Sequence, residues 1–446
     1  MLAIIATSVL AAAAAAAPPI TQDPQNIAHA RTEVAQVYDI RDYGSRGDGT
    51  SEDTSAIQSA VDLAAANGGA VHVPAGRYLT GPIALPSNIT LYGDGVASVL
   101  ILQGGARSHL LSPKDRATVA SVENVTIRDL KLLGNSALQN KGGPMPGWGG
   151  KHGVAILGGK NWLVQNVVAE DFDGDGVYLG RNFENPANMP AQGNTVTNCT
   201  VTRNIRNGMM ISHGIGNVLK NNLFEGNQLG VVPGHPKFKR SVYASAELDI
   251  EPNTFRFSER ASNNIIEGNT FRNGNWVGIQ ITRPSTQIAG NIIRYNTFID
   301  NKGGQILLRS PNAIHNLIAH NRFVASSPSV MPFVIRIANG SYNRIVDNVF
   351  IGGVEDTDKN HAITFDNPGH SLRARLLHIF DNPGLWMRTQ ALHNEFSGNH
   401  VDFRNATGNG ATIYFDSMEK DSIISGNTLI HAELDMRGTT LTAGAQ

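Results

Sequence analysis

Short runs of alternating apolar and polar residues recur along the chain and are separated by glycine and asparagine. Nine segments share one frame: an asparagine, two or three mostly apolar residues, usually a second Asn or Asp at the sixth position, and often Phe at the eighth. They begin at Asn124, Asn166, Asn194, Asn217, Asn264, Asn291, Asn316, Asn343 and Asn394. The shorter intervals between starts are 23 to 28 residues. Strands with a side-chain period of two, repeated at this interval, predict a solenoid and not separate globular domains.

The residues that recur in this repeat favour a parallel β-helix. Leucine-rich repeats have a similar period but need a leucine scaffold, whereas Asn, Ile, Val and Phe recur here. An Asn at equivalent corners can bond the coils above and below, and it tolerates left-handed backbone angles. We therefore predict an all-β fold, a single-stranded parallel β-helix of roughly ten or more coils. The repeated asparagines are predicted to be scaffold.

A helical pattern precedes the repeat. The apolar residues of the segment from Asp53 to Ala66 that share one helical face are Ile57, Val61 and Ala64. Ser51 or Asp53 is in position to cap the N-terminus of this helix, and Gly68 ends it. Such a helix would cap the exposed first edge of the solenoid.

The first residues, "MLAIIATSVLAAAAAAAPP", are an apolar run that ends in small residues and prolines, although no Lys or Arg precedes it. This pattern is typical of a secretory signal peptide. We predict a signal peptide and leader at residues 1–30 and a single β-helix domain at 31–446, with an N-terminal cap at 37–80 and coils at 81–435. No other apolar stretch has the length of a membrane span. We therefore expect a secreted or periplasmic protein, and a monomer.

Charge and cysteine content narrow the partners. The 36 basic and 37 acidic residues balance, which argues against a nucleic-acid or membrane-surface partner. The single cysteine, Cys199, excludes an internal disulfide framework and a cysteine-rich metal cluster. The stability of the fold must come from packing and hydrogen bonds.

Several segments resemble a known superfamily. The N-terminal segment "YDIRDYGSRGDGTSEDTSAIQSAVDLAAANGGAVHVPAGRYL" and the central runs "KHGVAIL", "DGDGVYLG", "RNGMMISHG" and "LDIEPN" are similar to pectate-lyase-like right-handed parallel β-helices, over residues 37 to 430. That group includes polygalacturonases, rhamnogalacturonases, mannuronan C5-epimerase modules and phage depolymerases. The resemblance implies a right-handed β-helix that acts on a polysaccharide. The NTD, DD and GHG motifs of polygalacturonases and the DPHE motif of the epimerases are absent, so it does not imply one reaction.

The repeat register predicts where a site would lie. In the strands "GMMIS", "GIQIT" and "ELDIE", alternation turns the second and fourth residues inward and the third and fifth towards solvent. One outward column is then Ala155, Tyr178, Met210, Asp249, Gln280 and Leu307. The next is Leu157, Gly180, Ser212, Glu251, Thr282 and Arg309. Asp249 and Glu251 are expected side by side on this face, although they are also compatible with plain surface residues.

Candidate roles follow from this register and from two insertions that precede the strands at Gly153 and Glu247 and are predicted to wall the face. The predicted catalytic residues are Asp249, Glu251, His213, Lys151 and Asp175. The predicted substrate-binding residues are Tyr178, Arg206, His152, Arg283, Arg309 and Trp148. The remaining histidines, including His315, are expected to be structural.

Two enzyme mechanisms fit these residues. In β-elimination of a polyuronide, an Arg, a protonated acid or Ca²⁺ neutralises the uronate, and Lys151, His213 or Tyr178 serves as base or acid. If the reaction uses a cofactor, we expect it to be this calcium ion, held by Asp249 and Glu251. In hydrolysis the same two carboxylates flank the glycosidic bond. C5-epimerisation shares the first half of the elimination. Basic and aromatic neighbours favour an acidic polysaccharide and a lyase, with a hydrolase, an epimerase or a non-enzymatic carbohydrate-binding solenoid as alternatives.

Overall fold

The computed structural model describes residues 36–106, 108–139, 151–182, 184–229, 246–252, 259–282, 288–310, 312–326, 334–338, 340–352, 363–366, 393–403, 411–415, 422–430 and 432–435. All strand pairings among them are parallel and connect successive coils. The predicted parallel β-helix is therefore confirmed. Within these residues, no helix is both long enough and apolar enough to cross a bilayer.

One sheet of 12 strands carries the predicted outward columns. Its strands, in order along the chain, are Ile83–Leu85, Leu111–Pro113, Val154–Leu157, Val177–Gly180, Met209–Ile211, Ala246–Ile250, Val277–Thr282, Gly304–Arg309, Ile335–Ala338, Ile363–Asp366, Ala411–Phe415 and Ala432–Asp435.

A second sheet, of 24 strands, supplies the other walls of the coils. Its strands are Val37–Asp39, Asp48–Glu52, Ala70–Val73, Gly76–Thr80, Thr90–Gly93, Ser98–Leu102, Thr126–Leu133, Leu163–Glu170, Thr195–Thr197, Thr200–Thr202, Val218–Lys220, Leu223–Glu225, Ile265–Glu267, Thr270–Arg272, Ile292–Arg294, Thr297–Ile299, Leu317–Ala319, Arg322–Ala325, Arg344–Val346, Val349–Gly352, Glu395–Ser397, His400–Asp402, Ile423–Ser425 and Thr428–Ile430. Two small sheets pair Ala191–Gln192, Gly214–Ile215 and Ala261–Ser262, and Ile288–Ala289 with Ala313–Ile314. Short 3-10 helices occupy Ile40–Tyr43, Gly95–Ala97 and Ser136–Leu138.

The α-helix runs from Thr54 to Asn67, and the predicted apolar face is buried together with Ala60. The side chain of Asp53 does not cap this helix. Its carboxylate instead accepts hydrogen bonds from the backbone N–H groups of Arg46 and Gly47, at 2.7 and 3.2 Å, and so ties down the preceding loop. The segment 37–80 is also more than a cap, because its four strands already pair into the 24-stranded sheet.

Two internal columns of asparagine confirm the predicted scaffold. They are Asn194, Asn217, Asn264, Asn291, Asn316, Asn343 and Asn394, and Asn222, Asn269, Asn296, Asn321, Asn348, Asn399 and Asn427. Within each column, the Oδ1 atom of one Asn accepts from the side-chain amide of the Asn one coil earlier. The Phe of the repeat frame stacks in the core, with ring centroids 4.7 to 5.0 Å apart between Phe224 and Phe350.

Glu247 takes the place of an asparagine in a third column. Asn204 donates to Asn227 as in the other columns, but Asn227 donates its backbone N–H to Glu247 Oε1 at 2.9 Å and its side-chain amide to Oε2. The next coil has Gly274 here, where a Cβ would lie 2.8 Å from Glu247 Oε1. Glu247 is fully buried, and burial raises its pKa to about 8. It is therefore scaffold, although it shares a strand with Asp249.

We expect Glu247→Gln to unfold at a higher temperature than the wild type at pH 8. The folded-state pKa of Glu247 lies above the unfolded value of 4.5. The free energy of unfolding therefore falls as the pH rises from 4.5 to about 8, by up to about 1.4 kcal/mol per pH unit. Gln has no proton to lose, and one amide oxygen can accept both bonds from Asn227, as Asn227 Oδ1 does from Asn204.

Thermal denaturation at pH 5 and pH 8 measures this effect. The difference between Glu247→Gln and the wild type should shrink at pH 5. Glu267→Gln is the control, because Glu267 is ion-paired with Arg294 and its pKa is lowered, so it should not be stabilised at pH 8. An equal difference at both pH values would contradict the assignment of a raised pKa to Glu247.

Candidate active site

The predicted outward column forms a single row across the 12-stranded sheet. Each member pairs with the next in a parallel ladder, in the order Ala155, Tyr178, Met210, Asp249, Gln280 and Leu307. In the second column, Leu157 pairs with Gly180 and Thr282 pairs with Arg309. The predicted register is thus confirmed, with adjacent coils about 4.8 Å apart.

The row does not face solvent, and the sequence prediction was wrong on this point. No member is more than 9% exposed, and Asp249 is 1% exposed. Ser212 and His213 are likewise buried. The physical reason is that outward side chains pack on one another: Ala155, Leu157, Tyr178 and Met210 form an apolar cluster apart from the main core. Ionisable groups beside this cluster are removed from water.

Three rings stack beside the row on consecutive coils. The ring centroids of His109 and His152 are 4.9 Å apart, and those of His152 and Tyr178 are 4.6 Å apart, with planes within 11° of parallel. Burial lowers the pKa of both histidines well below the usual value, so both imidazoles are neutral. The backbone N–H of Asp175 donates to His152 Nδ1 at 2.9 Å, which places the ring hydrogen on Nε2.

Asp175 and Arg206 form a buried ion pair in the next layer. Arg206 Nη1 donates to Asp175 Oδ2 at 3.1 Å, and the backbone N–H of Asn207 donates to Oδ1 at 3.0 Å. Burial raises the pKa of Asp175, while Arg206 and Asn207 act in the opposite direction. Arg206 Nη2 also lies 2.9 Å from Met210 Sδ, so the guanidinium reaches the row one coil before Asp249.

Burial lowers the pKa of Arg206, but the carboxyl groups of Asp175, Asp249 and Glu251 outweigh burial and leave the pKa above its usual range. Arg206 therefore stays charged. Its side chain keeps 26% of its surface exposed, whereas Asp175 has none. The Arg206 guanidinium is therefore a fixed, partly exposed positive charge next to Met210 of the row.

Asp249 and Glu251 share a side-chain hydrogen bond. Burial raises the pKa of Asp249 well above its usual range, the neighbouring Glu251 raises it further, and Arg206 lowers it. Burial and the neighbouring Glu251 both favour the protonated form of Asp249, and Glu251 itself is half-buried. Gln280 Nε2 donates to Asp249 Oδ1 at 3.4 Å and fixes that side chain from the following coil.

The hydroxyl of Tyr178 lies 2.7 Å from Ser212 Oγ. Burial raises the pKa of Tyr178 to about 12, so the phenol stays protonated. Gly180 makes room for this contact, because a Cβ there would lie 2.4 Å from the Tyr178 ring and 2.6 Å from Ser212 Oγ. Glu251 is in register one coil beyond Ser212, as its backbone N–H donates to Ile211 O. Along the sheet, the Tyr178 phenol and Glu251 therefore lie on opposite sides of Ser212.

Two other predicted catalytic residues are held by neighbours. Lys151 Nζ donates to Asp173 Oδ2 at 2.9 Å, and both side chains are mostly buried. His213 Nδ1 lies 3.0 Å from the backbone nitrogen of Arg260 and 3.2 Å from its carbonyl oxygen, so the Arg260 backbone holds this ring. Burial lowers the pKa of His213, so this ring is neutral.

The remaining predicted residues lie further away or outside the described residues. Arg309 pairs with Thr282 and so lies two coils from Glu251. Arg283 and Trp148 are outside the residues that the structure describes, and so are the two predicted wall insertions over most of their length.

Sequence reasoning missed three buried residues near this site. His109 stands two residues before Leu111, just as His152 stands two residues before its paired Val154, so recognition of the short strand Leu111–Pro113 would have identified it. Arg181 Nε and Glu259 Oε1 form an ion pair at 2.9 Å, with side chains 10% and 1% exposed. These two lie in corner segments outside the repeat frame, and no periodic signal points to them.

The described residues do not fit a calcium site at Asp249 and Glu251. Ca²⁺ takes six to eight oxygen ligands, and in the described part of the chain no three His, Cys, Asp or Glu side chains come together as a metal site. Here the Arg206 guanidinium already provides a positive charge beside the two carboxyl groups. We derive no step through calcium.

Two family profiles match the chain. Residues 116–323 match the family described as "Right handed beta helix region", and residues 37–133 match "Rhamnogalacturonase A/epimerase, pectate lyase-like". The two ranges overlap at residues 116–133 and together include most of the site, up to the coil that carries Arg309.

Curated relatives match shorter parts. The chain is 36% identical over 121 residues to mannuronan C5-epimerase AlgE5 of Azotobacter vinelandii, which is 25% of this chain and 12% of that protein. It is 29% identical over 202 residues to alginate lyase 7 of the same organism, which is 43% of this chain and 22% of that protein. The matches thus span less than a quarter of the length of these relatives.

Solved structures share the fold. The A-module of Azotobacter vinelandii mannuronan C-5 epimerase AlgE6 superposes with a TM-score of 0.53 at 17% identity, covering 91% of this chain and 100% of that one. The Streptococcus pneumoniae surface protein and adhesin PfbA superposes with a TM-score of 0.56 at 15% identity, covering 91% and 99%. At these identities the likeness shows the fold alone, and it includes an adhesin as well as an enzyme.

Proposed function

Because the chain belongs to the pectate-lyase-like superfamily of right-handed parallel β-helix proteins, we propose that it is an enzyme acting on a uronate-containing polysaccharide. Its reaction begins with removal of the C5 proton of a uronate residue, and the proposed outcome is β-elimination by a lyase. One observation carries this proposal: the buried Asp249, hydrogen-bonded to the half-buried Glu251, lies beside the fixed charge of Arg206.

The carboxyl pair argues against hydrolysis by the same two residues. Glycosidases that use paired carboxylates separate them by about 5–5.5 Å when they retain configuration and by about 6.5–9.5 Å when they invert it. Asp249 and Glu251 are within hydrogen-bonding distance of each other, which leaves no room between them for a glycosidic bond or a water molecule. We therefore favour the lyase reaction over hydrolysis.

Elimination needs a neutralised uronate, a base and an acid. Arg206 and the protonated Asp249 can face the uronate carboxylate, which makes the C5 proton more acidic. Glu251 then takes that proton. The C4–O bond breaks, a double bond forms between C4 and C5, and the leaving oxygen takes a proton. The proposed donor of that proton is Tyr178, whose phenol stays protonated. Its hydroxyl contacts Ser212, which lies one coil before Glu251.

C5-epimerisation is the second candidate, favoured by the similarity to mannuronan C5-epimerases. It shares proton removal at C5 but returns a proton to the opposite face and leaves the chain intact. Alginate lyase 7 has a name that states a lyase activity, and its match covers more of this chain than the match to AlgE5 does. We also propose that the protein is exported and monomeric, as its sequence predicts.

Incubation with polymannuronate and with polygalacturonate in D₂O separates these reactions. We expect ultraviolet absorbance from an unsaturated product, together with new reducing ends. Deuterium at C5 without chain cleavage would instead identify an epimerase. Reducing ends without the unsaturated product would identify a hydrolase and contradict the lyase.

A non-enzymatic carbohydrate-binding solenoid makes a different prediction for the same assay. It would bind these polymers without producing unsaturated ends, C5 deuterium or reducing ends. That result, obtained with folded protein, would contradict the lyase, the epimerase and the hydrolase alike.

A further inference from the structure

Three turns of a coil each place one residue in the left-handed region of backbone space, as Asn263, Gly268 and Asn273 do. In the coils up to Gly290 these residues are mostly Asn, Asp or Gly, which tolerate that conformation. At two of the three turns, later coils hold ring side chains at some of these positions. The five ring positions, with φ between 54° and 57°, are Tyr295, His315, His320, Tyr342 and His393.

The rings stack from coil to coil at the surface. The centroids of Tyr295 and His320 are 5.2 Å apart, those of His315 and Tyr342 are 5.1 Å apart, and those of Tyr342 and His393 are 4.8 Å apart. Tyr295 is 58% exposed and Tyr342 is 47% exposed. Both stacks border the 24-stranded sheet, whereas the candidate active site lies on the 12-stranded sheet.

Fold stability alone does not account for these residues. A left-handed backbone is unfavourable for a residue with a bulky Cβ substituent, and the gain from a stacked ring pair is of similar size. Gly or Asn at the same positions would avoid the strain, as at Gly268 and Gly290. Strained residues that persist at exposed turns point to a functional role.

The coil before each stack offers no ring at the same turn. Tyr295 follows Gly268 in its column of turns, and His315 follows Gly290, so the preceding coil has no side chain at that position. The guanidinium carbon of Arg294 lies over the Tyr295 ring, 5.7 Å from its centroid, and Arg294 Nη2 donates to Glu267 Oε2 at 2.8 Å. Exposed rings flanked by such groups suit a pyranose, whose C–H face stacks on a ring and whose hydroxyls bond the charged groups.

We propose that Tyr295, His315, His320, Tyr342 and His393, here called the ring surface, bind the sugar rings of a polysaccharide chain. The two stacks are separated by five strand positions, about 16 Å, and charged residues stand near them. An extended, hydroxyl-bearing polymer can bridge such isolated rings, whereas a protein partner needs a continuous apolar centre. The ring surface would hold the polymer while another segment occupies the active site, but its binding does not depend on the proposed reaction.

Polymer binding by a Tyr295→Asn, Tyr342→Asn double variant tests this proposal. Binding is measured by affinity electrophoresis in polymannuronate, in polygalacturonate and in uncharged hydroxyethylcellulose, with all variants carrying Asp249→Asn to prevent turnover. We expect the double variant to bind at least one polymer about 10-fold more weakly, since each lost ring removes a stacking contact. Tyr295→Phe keeps the ring and should bind normally. Val96→Asn, which removes an exposed apolar side chain elsewhere, is the matched control.

The outcomes separate this proposal from the proposed reaction. In the background with an intact Asp249, the double variant should cleave short oligosaccharides at the wild-type rate, because they do not reach the ring surface. Unchanged binding of all three polymers would overturn the ring surface and leave the reaction untouched. A clear fall in unfolding temperature, with Asn now at turns that favour it, would also overturn it and assign the rings to the fold.

Discussion

Asp249→Asn is expected to lower kcat/KM on the polymeric substrate by about 10²- to 10⁴-fold, the range typical for loss of a proton-transferring group. The variant should remain folded. Asp249 is protonated in the resting protein because burial and Glu251 raise its pKa, and an amide has nearly the shape of that protonated carboxyl. The amide can also donate the hydrogen bond to Glu251. What it cannot do is give up or share a proton with the uronate.

Glu251→Gln should cause a loss of similar size for a different reason, because it removes the proposed base. Steady-state kinetics together with thermal denaturation distinguishes both effects from unfolding. Thr282→Val is the matched control, since Thr282 occupies the same outward column one coil beyond Glu251 and has no proposed role. It should change kcat/KM by less than threefold, about 0.7 kcal/mol.

The pH dependence of the rate carries independent information. The reaction requires the protonated form of Asp249, so activity should fall as the pH rises through the raised pKa of Asp249. The residual activity of Asp249→Asn should not show this decrease at high pH. Wild-type activity in both variants would contradict the role of the pair. Normal polymer binding without turnover in the wild type would favour the carbohydrate-binding alternative.

The register of the solenoid could be predicted because it is periodic. Alternation within "GMMIS" and "GIQIT", combined with the repeat interval, correctly paired Met210 with Asp249 and Asp249 with Gln280. The asparagine columns were also predictable, since the first Asn recurs at one position in seven of the nine frames, whereas Asn124 and Asn166 lie at left-handed turns. Periodicity reports which residues are equivalent between coils, and this is sufficient to bring Tyr178, Arg206 and Asp249 to one region of one sheet.

The repeat period does not predict which side chains will cover the outward face of the 12-stranded sheet. In the outward row, Ala155, Tyr178 and Met210 pack on one another and Arg206 contacts Met210, and such side-chain packing depends on the residues of several coils together. Glu247 shows the same limit. It lies at an alternating position with Asp249, yet it enters the scaffold because Gly274 leaves a vacancy in the third asparagine column one coil later. Neither effect has a local signature in the sequence.

Asn296→Ala is expected to give the largest loss of stability of any single change considered. Asn296 Oδ1 accepts from the backbone N–H and the side-chain amide of Asn269, at 2.9 and 3.0 Å. Its own amide donates to Ile266 O at 2.8 Å and to Asn321 Oδ1 at 3.0 Å. The substitution leaves about three buried polar groups without partners, at about 1–3 kcal/mol each, so we expect a loss of about 3–9 kcal/mol.

Urea denaturation followed by circular dichroism measures this loss, and Asn263→Gly is the matched control. Asn263 occupies an exposed turn with φ of 57°, and glycine occupies the equivalent turn at Gly290, so the control should change the free energy of unfolding by less than about 1 kcal/mol. The contrast follows from position and not from residue type, because both substitutions remove an asparagine side chain. Equal effects of the two substitutions would mean that water replaces the lost partners of Asn296, and that the column orders the coils without being needed for their stability.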